Sequence, residues 1–179
     1  TGPFITAAVG IFKKPGGEIN VGFYRCLIVD KKHILINASG LSDLRTSYNW
    51  HRENNKEMKV AMVLGAPPAL LMAAASKSPE HISELDVAGG IIGDGVKVVL
   101  GPHTGLPIPV DAEIVLETIV DLDNMVENTL GEFGAQYGTE TAPMCEVTSI
   151  LKRNDAMFYT LMAGRAKEHN NLGYLTVYG

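Results

Sequence analysis

The sequence predicts a single α+β domain over residues 1–179, an antiparallel sheet curled into a flavin-binding-like split barrel with helices inserted between its early and late strands. Three observations lead there. Both ends of the chain are rich in β-branched and aromatic residues, the middle carries apolar residues at helical spacing, and no repeat, low-complexity run or linker composition divides it.

Taken in order, segments 4–13 and 20–29 are apolar and β-prone, and Pro15-Gly16-Gly17 between them supplies a turn. A third strand is predicted over 33–36, after the Asp30-Lys31-Lys32 turn. Over 43–54 the chain becomes polar, with Leu44, Tyr48 and His51 at helical spacing and Ser42 in position to cap, which predicts a helix. The compact apolar run 59–64 reads as a buried strand. Gly65-Ala66-Pro67-Pro68 ends it, and a helix is predicted over 69–75 with proline in its first turn. A short helix over 83–88 is predicted to stop at Gly89-Gly90. Strands then dominate, over 96–100, 113–121 and 146–152. The last is predicted to form a hairpin with 157–162 through the Arg153-Asn154-Asp155 turn.

Composition excludes several functions. A net charge of -5, with no block of Lys or Arg, argues against a nucleic-acid partner, which needs a clustered basic face. The longest apolar stretch, 60–75, is broken by Gly65 and Pro67-Pro68 and is too short for a membrane span. Cys26 and Cys145 make neither a disulfide framework nor a Cys-x-x-Cys metal spacing; they read as buried thiols in a reducing cytoplasm.

Motifs that carry chemistry by themselves are few. The five histidines are scattered, and there is no zincin, phosphate-loop, nucleophile-elbow or dinucleotide signature. Glu84 follows an apolar helix and a Ser-Lys-Ser-Pro loop, where a buried carboxylate needs a metal or Arg partner and an exposed one needs none. Arg25 ends an alternating strand and points either into a cavity or to solvent.

In combination the residues resemble a known family. Asn20-Val21-Gly22-Phe23-Tyr24-Arg25 is similar to the Asn-Val-Gly-x-Tyr-Arg strand of UbiD-type enzymes, and Gly2-Pro3-Phe4-Ile5-Thr6 resembles the strand before it. Leu64-Gly65-Ala66-Pro67-Pro68-Ala69 resembles their Gly-x-x-Pro-Ala helix start, and Ile82-Ser83-Glu84 their Ser-Glu motif. The run from Ile108 to Glu117 is close to their Val-Pro-Ala-x-Ala-Glu-Ile-Val-Leu-Glu-Gly strand, and 150–158 parallels their late Arg-x-Asp-Ala hairpin. The likeness covers almost the whole chain, in order.

That resemblance implies the central prenylated-FMN-binding domain of a longer carboxy-lyase acting on aromatic or α,β-unsaturated carboxylic acids. It implies Arg25 as the catalytic group that orients the substrate carboxylate, and Thr6, Asn20, Arg25 and Ser76 as cofactor contacts. It also implies Asn20 and Glu84 as ligands of Mn²⁺ or Mg²⁺, beside a monovalent cation such as K⁺. A homo-oligomer, or a place in a larger UbiD-like assembly, follows from the same source. Two departures stand out. The family's metal-binding His falls near 37–41, where this chain has Ser39 and no His. The family's acidic Glu-Gly-Pro-Phe-Gly-Asp/Glu segment here reads Leu130-Gly131-Glu132-Phe133-Gly134-Ala135, so Arg25 is retained without its two carboxylates, and Glu127 or Glu132 is the acid a small shift would bring in. A catalytic segment, a diverged flavin- or metal-binding subunit and a structural module all remain open from sequence.

Overall fold

The computed structural model describes residues 2–38, 40–76, 78–79, 81–132 and 136–161. Ser39, the Phe133-Gly134-Ala135 part of the acidic-segment match and Met162 lie outside the described residues. The elements run β1 (Phe4–Ile5), β2 (Ala8–Lys13), β3 (Ile19–Phe23), β4 (Arg25–Ile28), β5 (His33–Asn37), α1 (Asp43–Glu53), β6 (Lys59–Leu64) and α2 (Pro68–Ala75). They continue with α3 (Glu84–Ile92), β7 (Val98–Leu100), β8 (Pro107–Pro109), β9 (Ile114–Glu132) and β10 (Gln136–Lys152).

Eight strands form one antiparallel sheet in the order β1-β4-β5-β10-β9-β6-β2-β3, and β7 pairs with β8 in a second, two-stranded sheet. The two ends of the large sheet, β1 and β3, belong to the same bent hairpin. The predicted strand over 4–13 breaks at Thr6-Ala7, and that over 20–29 breaks at Tyr24. Each half therefore joins a different edge, and the barrel is split there and not closed. The bend has a cause in packing. Gly10 and Gly22 are cross-strand partners, and the Tyr24 ring lies over both. A Cβ on Gly10 would sit 2.9 Å from Tyr24 Cδ2, and one on Gly22 would sit 3.0 Å from its hydroxyl.

The sheet is buried on both faces. Val60, Met62 and Leu64 of β6 join one apolar cluster with Phe12, Tyr24, Leu44 and Tyr48; Ala61 and Val63 join another with Leu70, Ala73, Ala88 and Ile108. That double burial explains why β6 reads as a continuous apolar run. Helix α1 covers the first face, and α2, α3 and the β7–β8 hairpin cover the second.

Three expectations are corrected. Helix α3 does not stop at Gly89-Gly90; it continues to Ile92 and ends at Gly93, whose left-handed backbone (φ 80°) closes it. Strands β9 and β10 are far longer than predicted and pair with each other from Ile114↔Lys152 to Glu132↔Gln136. Residues 157–161 accordingly form no strand, and the partner of 146–152 is β9. Strand β8, with prolines at both ends, was not predicted.

Candidate functional site

The site is built where an edge strand meets the starts of two helices. Asn20 and Val21 lie on β3, at the open end of the large sheet, so outward-facing backbone N–H groups there have no further strand to pair with. Glu84 supplies an acceptor. Its Oε2 receives the Val21 N–H at 2.7 Å and the Asn20 Nδ2–H at 3.3 Å. The carboxylate is brought there by the start of α3, where the Ser83 hydroxyl caps the helix by accepting from the Leu85 N–H at 3.2 Å. Glu84 is 6% exposed, so it is the buried carboxylate, not a solvated helix charge.

A third side chain joins from α1. Asn20 Nδ2 also donates to Asp43 Oδ2 at 3.1 Å, so one amide nitrogen touches two carboxylates. Asp43 is the first residue of a helix capped by Ser42, as predicted, and both carboxylates benefit from the positive end of their helix. The Asn20 carbonyl oxygen Oδ1 is buried and accepts no hydrogen bond, in a residue only 5% exposed. Tyr24 forms a wall of the site. Burial, then the negative charges of Asp43 and Glu84, hold its phenol neutral well above the ordinary tyrosine range.

The remaining sequence-predicted residues have partners of their own. Arg25, at the start of β4, donates from Nη1 to the Gly131 carbonyl at 2.6 Å, which ties it to the end of β9, where the Leu130–Ala135 match begins. Leu130 is apolar and 4% exposed. Glu127 is exposed. Thr6, at the bend between β1 and β2, donates to the Leu161 carbonyl at 2.7 Å and meets the Thr160 hydroxyl at 2.9 Å. Ser76 is exposed and closes α2 by donating to the Ala73 carbonyl at 2.7 Å. The structure thus brings Asn20 and Glu84 together and adds Asp43 and Tyr24. The sequence offered no signal for Asp43, because an acidic residue just after an N-cap is usual helix chemistry. Among the described residues no group of three or more His, Cys, Asp and Glu side chains is set to hold a metal; this cluster has two carboxylates and an amide.

Comparison with known proteins gives this geometry its context. Residues 1–166 match the family model described as the 3-octaprenyl-4-hydroxybenzoate carboxy-lyase Rift-related domain. A protein of Archaeoglobus fulgidus is 33% identical over 171 residues, covering 92% of this chain and 35% of the relative. One of Aquifex aeolicus is 32% identical over 181 residues, covering 98% and 37%. The chain therefore spans a little over a third of the length of these curated relatives. Among solved structures, an evolved dimeric form of the UbiD-class enzyme HmfF from Pelotomaculum thermopropionicum, in complex with prFMN, superposes with a TM-score of 0.88 at 25% identity. It covers 97% of this chain and 41% of that one. Flavoredoxin of Desulfovibrio vulgaris shares the fold alone, at a TM-score of 0.56 and 10% identity over 87% of this chain and 76% of its own. The strand, the Ser-Glu helix start and the split sheet are the parts of one domain, and the chain belongs to the UbiD family.

Proposed function

We propose that the chain is the flavin-binding domain of a prenylated-FMN-dependent (de)carboxylase acting on aromatic or α,β-unsaturated carboxylic acids. The observation that carries this reading is the convergence of Asn20 and Glu84, distant in sequence, on one buried point. Their oxygens suit a hard divalent cation, Mn²⁺ or Mg²⁺, that also binds phosphate, with K⁺ as its monovalent companion. The buried Asn20 Oδ1 without a hydrogen bond supports a ligand role, since an unsatisfied buried carbonyl costs about 1–3 kcal/mol. Thr6 and Ser76 are the hydroxyls assigned to the flavin side of the site.

In this reading Arg25 binds the substrate carboxylate as a two-pronged, charge-assisted pair, exchanging the Gly131 carbonyl for it. Decarboxylation breaks the bond between that carboxylate and its neighbouring carbon, releases carbon dioxide and leaves an electron pair that a proton must meet. Prenylated FMN, when bound, supplies the electron-accepting group for this step. Burial of the apolar Leu130 favours a second reading, a diverged subunit that keeps cofactor affinity without turnover. A cytoplasmic setting suits both, as do homo-oligomers or assembly with related subunits.

Co-expression with a flavin prenyltransferase tests the shared part. The purified chain is expected to carry a flavin absorbance that falls at least about ten-fold in Glu84→Gln and Asn20→Ala, in line with the usual cost of disturbing a metal's ligand shell. A colourless protein, or flavin retained in both variants, would sink the proposal.

A further inference from the structure

Building on the cation reading of Asn20 and Glu84, we propose that Asp43 is the third ligand. The site then becomes an all-oxygen one that takes Mg²⁺ or Ca²⁺ as readily as Mn²⁺.

Three independent elements deliver the donors: β3 brings Asn20, the first turn of α1 brings Asp43, and the first turn of α3 brings Glu84. The Asn20 amide nitrogen stands between Asp43 Oδ2 at 3.1 Å and Glu84 Oε2 at 3.3 Å, as the electropositive group shared by two carboxylates. A cation held by oxygens at about 2.0–2.6 Å belongs in that same middle position. The second observation is the other end of that amide. Asn20 Oδ1 is buried and unpartnered, and a half-turn of the amide plane exchanges the two ends, so that a carbonyl oxygen faces the carboxylates.

The chemistry of the set decides the ion. Two carboxylates balance a dication, and a carboxamide oxygen adds a neutral hard donor. Imidazole and thiolate are what favour zinc and the later transition metals, and neither is in this set. Asp43 is exposed while Asn20 and Glu84 are buried, so the open side of the site, where water or a phosphate oxygen completes the shell, lies at α1.

Terbium is a suitable probe, because Tb³⁺ is hard, prefers oxygen and emits when a tyrosine nearby is excited. Titrated into the 179-residue chain, Tb³⁺ is expected to emit through Tyr24, to dim in Tyr24→Phe, and to be displaced by Ca²⁺ and Mg²⁺. Asp43→Asn is expected to weaken Tb³⁺ and Ca²⁺ at least ten-fold. Asp43→His is expected to raise the ratio of Zn²⁺ to Ca²⁺ affinity at least ten-fold, and it carries the test by itself if Asp43→Asn does not fold. Glu84→Gln separates the role of Asp43 from the existence of the site. Binding lost in Glu84→Gln but unchanged in Asp43→Asn, with an unchanged Zn²⁺ to Ca²⁺ ratio in Asp43→His, overturns the role of Asp43 and leaves the two-residue site standing. A wild-type chain that binds no cation overturns both.

Discussion

A carboxylate with no exposed surface must be satisfied by its neighbours, and Glu117 shows how this chain arranges that. It sits on β9 opposite Ala61 and is fully buried. Its Oε1 accepts from the Thr104 hydroxyl at 2.7 Å, the Thr104 N–H at 2.9 Å and the His103 N–H at 3.2 Å, so it staples the β7–β8 loop to the sheet. Burial pushes its pKa up, but those three hydrogen bonds outweigh it and hold the carboxyl below the ordinary range. The stabilisation is therefore present in full above the unfolded-state pKa, and it is lost as pH falls through the lower folded-state value. Glu117→Gln is expected to cost about 2 kcal/mol at neutral pH, because hydrogen bonds to the charged form are replaced and an amide N–H₂ meets the buried Oε2 position, which has no partner. Urea midpoints for wild type and variant should converge as pH is lowered. A gap independent of pH refutes the charged-staple account. Sequence resemblance gave Glu117 only as part of a strand motif; its task depends on a loop 13 and 14 residues away in sequence, which periodicity does not report.

At the level of elements, the sequence was legible wherever one segment's pattern matched its own burial. Strand β6 falls on its predicted bounds because both its faces are apolar, and α1 begins at its predicted cap. Failures occur where partners decide. Gly89-Gly90 look like a helix stop, yet α3 runs through them, and the chain beyond its end folds back on Gly89, with Asp94 O only 3.2 Å from where its Cβ would be. The β9–β10 ribbon was missed because the parts of it beyond the sheet have few neighbours. Strand β6 pairs with β9 only over Ile114–Ile119, and β5 pairs with β10 only over Met144–Glu146, so 122–132 and 136–143 pair only with each other, and their sequence is polar and rich in turn-forming residues. The register shift at Pro143/Cys145 marks where the ribbon leaves the sheet. Helix α1 holds its base. The Tyr48 hydroxyl donates to the Leu122 carbonyl at 2.8 Å, and Arg45 Nη2 donates to the carbonyls of Thr141 at 2.6 Å and Ala38 at 3.2 Å. Arg45 lies two residues from Asp43, so one helix, α1, contacts both the Asn20–Asp43–Glu84 cluster and the ribbon, whose far end accepts the Arg25 bond at Gly131. Arg45→Met is expected to speed amide exchange across 122–143 by about five-fold, equivalent to roughly 1 kcal/mol for a charge-assisted bond that is partly exposed, with β6 unaffected. Uniform acceleration over the whole chain would point to global destabilisation, and an unchanged ribbon would remove Arg45 as its anchor.

Taken whole, the molecule is a sheet buried on both faces whose site lies at its open end, and what it can do alone depends on what that arrangement lacks. No helix among the described residues is long and apolar enough to cross a membrane. The two cysteines are buried in the interior of one face, where desolvation pushes the Cys26 thiol up to about 12 and Cys145 well above its usual value, so neither offers a reactive thiolate at neutral pH. The proton that the proposed decarboxylation requires has no donor at Leu130, which is apolar, buried, and next on β9 to the Gly131 carbonyl that receives Arg25. A missing general acid costs about 10²- to 10⁴-fold in rate by itself. The chain spans 35% and 37% of the length of two of its relatives. The expected outcome is that the 179-residue chain, supplied with prenylated FMN, Mn²⁺ and a panel of cinnamic and hydroxybenzoic acids, releases no carbon dioxide above background even where flavin is bound. Turnover that is lost in Arg25→Ala yet survives both Glu127→Gln and Glu132→Gln would reveal a donor other than these two carboxylates. Turnover lost in Glu132→Gln as well would identify that residue as the acid and shift the match of 130–135 to the family segment.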